Sequence, residues 1–199
     1  MIGAVLFTWL QGAAFYSELH KQAVDTLPSG EGKTWIDLGC GPGLVSRLAA
    51  EKLYDVIGID TDASMIQAAR RLKKLHGSKA NFEVNDLTYL SDKKADVISA
   101  ASLLAVLDDK EDALNRMWES VLPKGHLLII EPTELMKQEN AKELIKTGLP
   151  KKRLRGLKMW ATARENRTVD TAIFDTIKAK DKKTLELLGG LVKARIFKK

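Results

Sequence analysis

The sequence predicts a single α/β domain built on an open, doubly wound, seven-stranded sheet, mostly parallel with an antiparallel C-terminal strand, in three αβα layers. Three observations carry this expectation. Short, near-continuous apolar runs recur through the first 131 residues, each followed by apolar residues at helical intervals, and such runs belong to parallel strands buried on both faces. Acidic residues stand where the runs stop. Near the C-terminus, Gly189-Gly190 separates two stretches of partial alternation, the signal of a hairpin. The 199 residues, 45% apolar and 29% charged, suit one globular domain.

The elements follow in order. The apolar stretch from Ile2 to Tyr16 carries Thr8, Gln11 and Gly12 and is shorter than the ~20 residues a bilayer needs. No basic residue precedes it, so it reads as structure and not as an address, and the expected location is cytoplasmic. Trp35, Ile36 and Leu38 form a strand that stops at Gly39-Cys40-Gly41-Pro42-Gly43, and Leu44, Val45, Leu48, Ala49 and Leu53 continue as a helix. Val56 to Ile59 ends at Asp60, and Met65 to Leu72 is the next helix, closed by Lys73-Lys74-Leu75-His76-Gly77, where a histidine favours the helix dipole. Phe82 to Val84 ends at Asn85-Asp86. Asp96 to Ser99 leads into an apolar stretch from Ala100 to Leu107, and Leu127 to Ile130 ends at Glu131-Pro132, with His126 read as a solvated turn residue. About fifty residues then precede the hairpin, more than one crossover helix needs, and they are read as helices near 133–147, 151–165 and 169–180, a helical insertion over 132–182.

Charge is uneven along the chain. Residues 1–130 hold 14 Lys and Arg against 17 Asp and Glu, whereas residues 131–199 hold 18 against 9. The densest cluster is Lys151, Lys152, Arg153, Arg155 and Lys158, on a segment that presents Leu154, Leu157 and Trp160 at helical spacing. A basic half of this kind meets nucleic acid, anionic lipid or an acidic substrate, or merely keeps its helices soluble. One cysteine, Cys40, excludes an intrachain disulfide and a cysteine metal cluster, and three scattered histidines suggest no zinc site, so no metal is expected.

A glycine turn between the first strand and helix lets backbone approach a ligand closely. Gly39, Gly41 and Gly43 supply that turn, but a dinucleotide fingerprint has its third glycine three positions after the second, and Leu44 stands there, which argues against NAD. Asp37, two residues before the turn, suits a ligand with a cationic amine better than a pyrophosphate. Asp60 ends the second strand, where a carboxylate accepts from ribose hydroxyls, and Asp86 ends the third, where it could accept from an exocyclic adenine amine. All three acids fall at the carboxyl ends of consecutive strands, where open α/β sheets bind ligands.

Trp35 to Gly43, followed by Val56 to Asp60, Val84 to Leu87 and Leu122 to Pro132, resembles the class I S-adenosylmethionine-dependent methyltransferases. The Leu188-Gly189-Gly190-Leu191 hairpin is similar to the junction of that family's last two strands, most like its small-molecule and quinone-biosynthesis branch. The resemblance implies a Rossmann-like fold with S-adenosylmethionine as cofactor and S-adenosylhomocysteine as product. It implies backbone contact to the methionine part by Gly39, Cys40, Gly41 and Gly43, with Asp37 near the amino group. Asp60 would hold the ribose with Thr61 and Met65 beside the adenosine, Asp86 and Leu87 the adenine, and Ala100 would lie beneath the methionine. Cys40 is read as packing.

Ser99-Ala100-Ala101-Ser102 stands where the family's DNA and protein amide methyltransferases carry an Asn-Pro-Pro-Tyr type motif, and Ala105 and Val106 where many small-molecule members have histidines. The expected activity is therefore methyl transfer to a small, partly apolar acceptor, driven mainly by proximity and orientation. Two alternatives stand beside it, an RNA methyltransferase that uses the basic C-terminal part and a non-catalytic S-adenosylmethionine-binding protein. For the acceptor wall the sequence offers an N-terminal helical lid over residues 1–30, with Phe7, Trp9, Leu10, Phe15, Tyr16 and His20, and the later helices with Leu154, Leu157, Met159, Trp160 and Phe174. Tyr16 and His20 are the candidate catalytic groups, able to orient or deprotonate an acceptor.

Overall fold

The computed structural model describes residues 2–149, 155–165 and 167–199. Two N-terminal helices, α1 (Ile2–Gln11) and α2 (Ala14–Asp25), precede the alternating core: β1 (Thr34–Leu38), α3 (Leu44–Glu51), β2 (Asp55–Asp60), α4 (Ala63–His76), β3 (Asn81–Val84), β4 (Ala95–Ala101), α5 (Lys110–Glu119) and β5 (Val121–Pro132). Helices α6 (Gln138–Lys146) and α7 (Arg155–Arg164) lead to the hairpin β6 (Asp181–Leu187) and β7 (Val192–Lys198).

The seven strands form one sheet in the order β3-β2-β1-β4-β5-β7-β6. Strands β1 to β5 pair in parallel, and β7 runs antiparallel to both its neighbours. The fold class expected from the sequence is therefore the one observed. Alternate strand residues serve opposite faces, as a period of two requires. Trp35, Val97, Leu128 and Ile130 join one core with Leu19, Val45, Ile66 and Trp160. Ile36, Ile98, Leu127 and Ile129 join the other with Leu114, Met117 and Phe197. Strand order reverses between β1 and β4, which places the ligand crevice above their carboxyl ends.

Capping ends the helices where the sequence suggests. The Asp62 carboxylate accepts from the Ser64 N–H at the start of α4, and Gly77 ends it at φ 63°, with His76 in its last turn. Other boundaries differ from expectation. The third expected helix after Glu131 is a short 3₁₀ turn, Thr171–Thr176, opened by Asp170 accepting from the Ala172 N–H. The expected helix at 151–165 is described from Arg155, and Lys151, Lys152, Arg153 and Leu154 lie outside the described residues. The hairpin loop is four residues rather than two, because Leu187 pairs with Val192 and the chain turns through Leu188, Gly189 and Gly190 at φ 51°, 62° and 83°. His126 is a half-buried residue inside β5, opposite Val97 and Lys198, because β5 starts at Val121 and not after the Pro123-Lys124-Gly125 turn. Among the described residues, no helix is long and apolar enough to cross a membrane.

Candidate active site

A cavity of about 610 Å³ opens above the carboxyl ends of β1, β2, β3 and β4, within the range usual for small-molecule and cofactor sites. The glycine turn is its floor. Gly43 caps α3 at φ 79°, and a Cβ there would stand 2.5 Å from the Phe82 ring, so both the left-handed backbone and the close packing demand glycine. Gly41 also takes a left-handed φ of 52°, yet a Cβ on it would meet nothing within 4 Å. The turn therefore presents bare backbone to open space on the cavity wall.

The acids divide by environment. Asp37 is 1% exposed and anchors a buried chain of hydrogen bonds. The Trp35 indole N–H donates to Ser99 Oγ (2.7 Å), Ser99 Oγ donates to Asp37 Oδ1 (2.8 Å), and Ser46 Oγ donates to Asp37 Oδ2 (2.6 Å). Burial pushes its carboxyl up to about 6, against the pull of the two serine hydroxyls. Asp60 braces the turn itself, since Oδ2 accepts from the Gly41 N–H and Oδ1 from the Asp62 N–H, each at 2.9 Å. Burial raises its carboxyl above the usual range, opposed by those backbone bonds. Asp86 is exposed and caps the 3₁₀ turn Leu87–Ser91 through the Thr88 N–H (2.7 Å), and the bonds from Thr88 hold its carboxyl below the usual range.

Gly39, Cys40, Gly41, Asp37, Asp60, Thr61, Met65, Asp86 and Leu87 all line this one cavity. The structure thus gathers residues that the sequence offered singly. Two expected residues stand off its wall. Gly43 contributes the turn geometry from behind, and Ala100 is fully buried in the core with Ile36 and Leu104, so that Ala101 and Ser102 reach the cavity in its place. Ser102 holds a left-handed φ of 57°, a conformation uncommon outside glycine, fixed by its N–H donating to the Ile130 carbonyl at 2.7 Å. The buried Cys40 thiol is pushed up by burial and held by Asp37 and Asp60 in its neutral form, as packing requires.

The outer wall comes from the N-terminal helices and from α7. Phe7, Gln11, Tyr16 and His20 line the cavity. Leu10, Phe15 and Leu19 turn into the core on the same helices, so α1 and α2 are anchored through buried contacts as well as bordering the site. The Tyr16 ring lies 4.3 Å from His20 and 5.0 Å from Trp160, centroid to centroid. His20 Nδ1 lies 2.7 Å from the Tyr16 carbonyl oxygen, an arrangement satisfied when that nitrogen carries the proton and leaves Nε2 as a lone pair. Burial lowers His20 to about 4 and raises Tyr16 to about 12, so both are neutral at physiological pH.

Leu157 and Trp160 pack into the core, Met159 is exposed, and Phe174 stacks on Phe197 on the opposite face of the sheet. None of these four forms the cavity wall. Several residues that do form it were not offered as site residues by the sequence, Gln11, Leu103, Ser102 and Arg164 among them. Nothing in the local pattern marks Arg164 among 18 basic residues of the C-terminal part; its position depends on how α7 crosses the strand ends.

Comparison with known proteins agrees with this geometry. A family described as methyltransferase domain matches residues 29–187. A trans-aconitate 2-methyltransferase from Sinorhizobium fredii is 34% identical over 129 residues, 60% of this chain and 48% of the relative. The chain spans about half the length of the curated relatives it matches. Among solved structures, an S-adenosylmethionine-dependent methyltransferase from Methanococcus maripaludis, described as putative, aligns with a TM-score of 0.69 at 16% identity, covering 100% of this chain and 92% of its own. The magnesium protoporphyrin IX methyltransferase from Synechocystis, solved with bound S-adenosylhomocysteine, aligns at 0.66 and 14% identity, covering 100% and 94%. At such identities the likeness is one of fold. The family match extends over most of the sequence and includes the glycine turn and the strand-end acids, and the chain belongs to the class I S-adenosylmethionine-dependent methyltransferases.

Proposed function

We propose that this protein binds S-adenosylmethionine and transfers its methyl group to a small, partly apolar acceptor. The observation that carries the reading is the convergence of a bare-backbone turn at Gly41, a carboxylate at Asp60 and an apolar outer wall on a single cavity. The residues fit the cofactor. Gly41 leaves open space for its amino-acid part, Asp60 retains lone pairs for ribose hydroxyls, Met65 and Leu87 offer apolar surface to a base, and Asp86 lines the same cavity. When bound, S-adenosylmethionine supplies a methyl group activated by its sulfonium.

The chain's own residues then position and shield. Asp60 bridges the turn and the start of α4, fixing the floor before ligand arrives. The half of the cavity bounded by Phe7, Tyr16, His20, Leu103 and Arg164 is the acceptor side. His20 Nε2 is a neutral lone pair suited to take a proton from an acceptor, and the Tyr16 hydroxyl, held protonated, is suited to donate a hydrogen bond to it. A cytoplasmic setting belongs to the same reading, since the one cysteine is buried and free and needs no oxidising compartment.

The test is a calorimetric titration with S-adenosylmethionine, followed by transfer of labelled methyl to pooled small acids, alcohols, amines and thiols, with structured RNA as a separate arm. Binding with small-molecule labelling supports the proposal. Labelling of RNA that declines steeply with salt would favour the nucleic-acid reading, for which the exposed Arg155 and Lys158 on α7 speak. Binding without labelling in any arm would leave the non-catalytic reading in its place.

A further inference from the structure

Three buried side-chain atoms among the described residues find no hydrogen-bond partner: Glu131 Oε2, the Trp160 indole nitrogen and Arg164 Nε. They gather at one place. Trp160 and Arg164 lie one turn apart on the same face of α7, and the Trp160 ring packs on Tyr16. Glu131 ends β5, where its Oε1 accepts from the Leu104 N–H at 2.9 Å and its charge acts on Arg164 without forming an ion pair within 4 Å. Unsatisfied buried polar atoms are uncommon and costly, and a cluster beside a cavity marks a place where a partner is missing.

Arg164 is the member that faces the cavity. It is 8% exposed and is the one Lys or Arg on the wall among the described residues, against the three acids Asp37, Asp60 and Asp86. Tyr16, on the same wall, feels both kinds of charge, Arg164 favouring its ionised form and Asp37 opposing it. The cavity therefore has an acidic half over the glycine turn and a cationic end at α7.

We propose that Arg164 is the anion-recognising group of the acceptor subsite and that the methyl acceptor carries a carboxylate. The inference rests on the reading of the cavity as a methyltransferase site and names the acceptor class it takes. A guanidinium offers a planar fork that matches the two oxygens of a carboxylate, and Arg164 brings one to the cavity wall with its buried Nε–H unpaired among the described residues. A phosphate monoester, with nearly two charges, fits less well, because a single cation among the described residues lines the wall and that cation already feels the Glu131 carboxylate. A cationic amine would meet Arg164 as a like charge. The apolar wall of Phe7, Leu103, Val106 and Leu107 completes a subsite for an acid with an apolar body.

The experiment uses the full chain saturated with S-adenosylhomocysteine. Benzoate, fumarate and glutarate are titrated beside their amides, with benzylamine and inorganic phosphate as further probes, and the acids that bind are then assayed for methyl transfer from S-adenosylmethionine. The expected result is that at least one acid binds ten- to hundredfold more tightly than its amide, as loss of a charge-assisted hydrogen bond implies. Arg164→Met should erase that preference and Arg164→Lys should restore part of it, both with S-adenosylhomocysteine affinity within about twofold of the native protein. In the transfer assay the loss should fall on KM for the acid. Binding of no acid overturns the proposal, as do equal binding of acids and amides, tighter binding of phosphate or benzylamine, or an Arg164→Met protein that weakens acids and amides alike. Failure of the native protein to bind S-adenosylhomocysteine overturns the underlying reading instead, so the two failures are distinguishable.

Discussion

Replacing Asp60 with alanine tests the cofactor site at the point where structure and ligand share one group. In the free protein its two carboxylate oxygens accept the Gly41 and Asp62 N–H groups at 2.9 Å each, so the substitution first loosens the turn. That region is partly open to water, which can replace the lost acceptor, and the expected cost in stability is about 1 kcal/mol. The cost to binding is larger, because two ribose hydroxyls lose an ionised acceptor. A loss of about 1.5 to 3 kcal/mol corresponds to a roughly ten- to 150-fold weaker affinity. Asp60→Asn should be no milder than alanine, since one oxygen becomes an NH₂ group set against either the Gly41 or the Asp62 N–H, donor against donor. The assay is calorimetric titration with S-adenosylhomocysteine and with its 2′,3′-dideoxy analogue, at a temperature where both proteins are folded. Native protein should prefer the ribose ligand, and Asp60→Ala should bind the two ligands about equally. An unchanged affinity for S-adenosylhomocysteine in the folded variant would refute the placement of the ribose on Asp60.

Ser99→Ala removes the acceptor of the Trp35 indole and a donor to Asp37 together, both fully buried, and should destabilise the protein by about 2 to 4 kcal/mol in urea titration; a loss under 1 kcal/mol would mean that water repairs the network. Gly43→Ala combines a left-handed backbone with a Cβ 2.5 Å from Phe82, and about 2 to 5 kcal/mol of stability should be lost, against about 1 kcal/mol for Gly41→Ala, whose Cβ has open space, with the Gly41 variant losing ligand affinity instead. Burial raises Glu131 from about 4.5 to about 7, so between those pH values the folded protein holds a proton that the unfolded chain has released, and stability falls as pH rises. Relative to Glu131→Gln, the native protein should therefore lose stability from pH 4.5 to 7 and show little further change above it; denaturation midpoints that track each other across that window would contradict the shift.

Much of the fold was legible because each strand announces itself within a few residues. Val56 to Ile59 or Leu127 to Ile130 can be buried on both faces only in a covered parallel sheet, and an acid at the end of such a run can lie only at the sheet's carboxyl edge. The glycine turn was legible for the same reason, since Gly43 meets a local demand for left-handed backbone. The boundaries that escaped depend on pairing. The hairpin loop takes its four residues from the partnership of Leu187 with Val192, and β5 extends back to Val121 because Ala95 offers it an edge.

Sequence by itself thus determined the strand order of chemistry along the chain: a bare turn, then Asp60, then Asp86, each set by spacing of local signals. Only the tertiary structure decided what faces them. Ala100 lies in the core and Ser102 on the cavity wall because β4 ends at Ala101 and the left-handed backbone of Ser102, tied to the Ile130 carbonyl, breaks the strand's alternation there. Phe174 and Trp160 are equally apolar at the level of sequence, yet one lies across the sheet on Phe197 and the other beside Tyr16. Arg164 is one cation among many until α7 crosses the ends of the strands and buries it beside a carboxylate. The physical reason is range: backbone conformation answers to residues within a turn or two, whereas desolvation and charge depend on everything that packs within a few ångströms, wherever it lies in the chain.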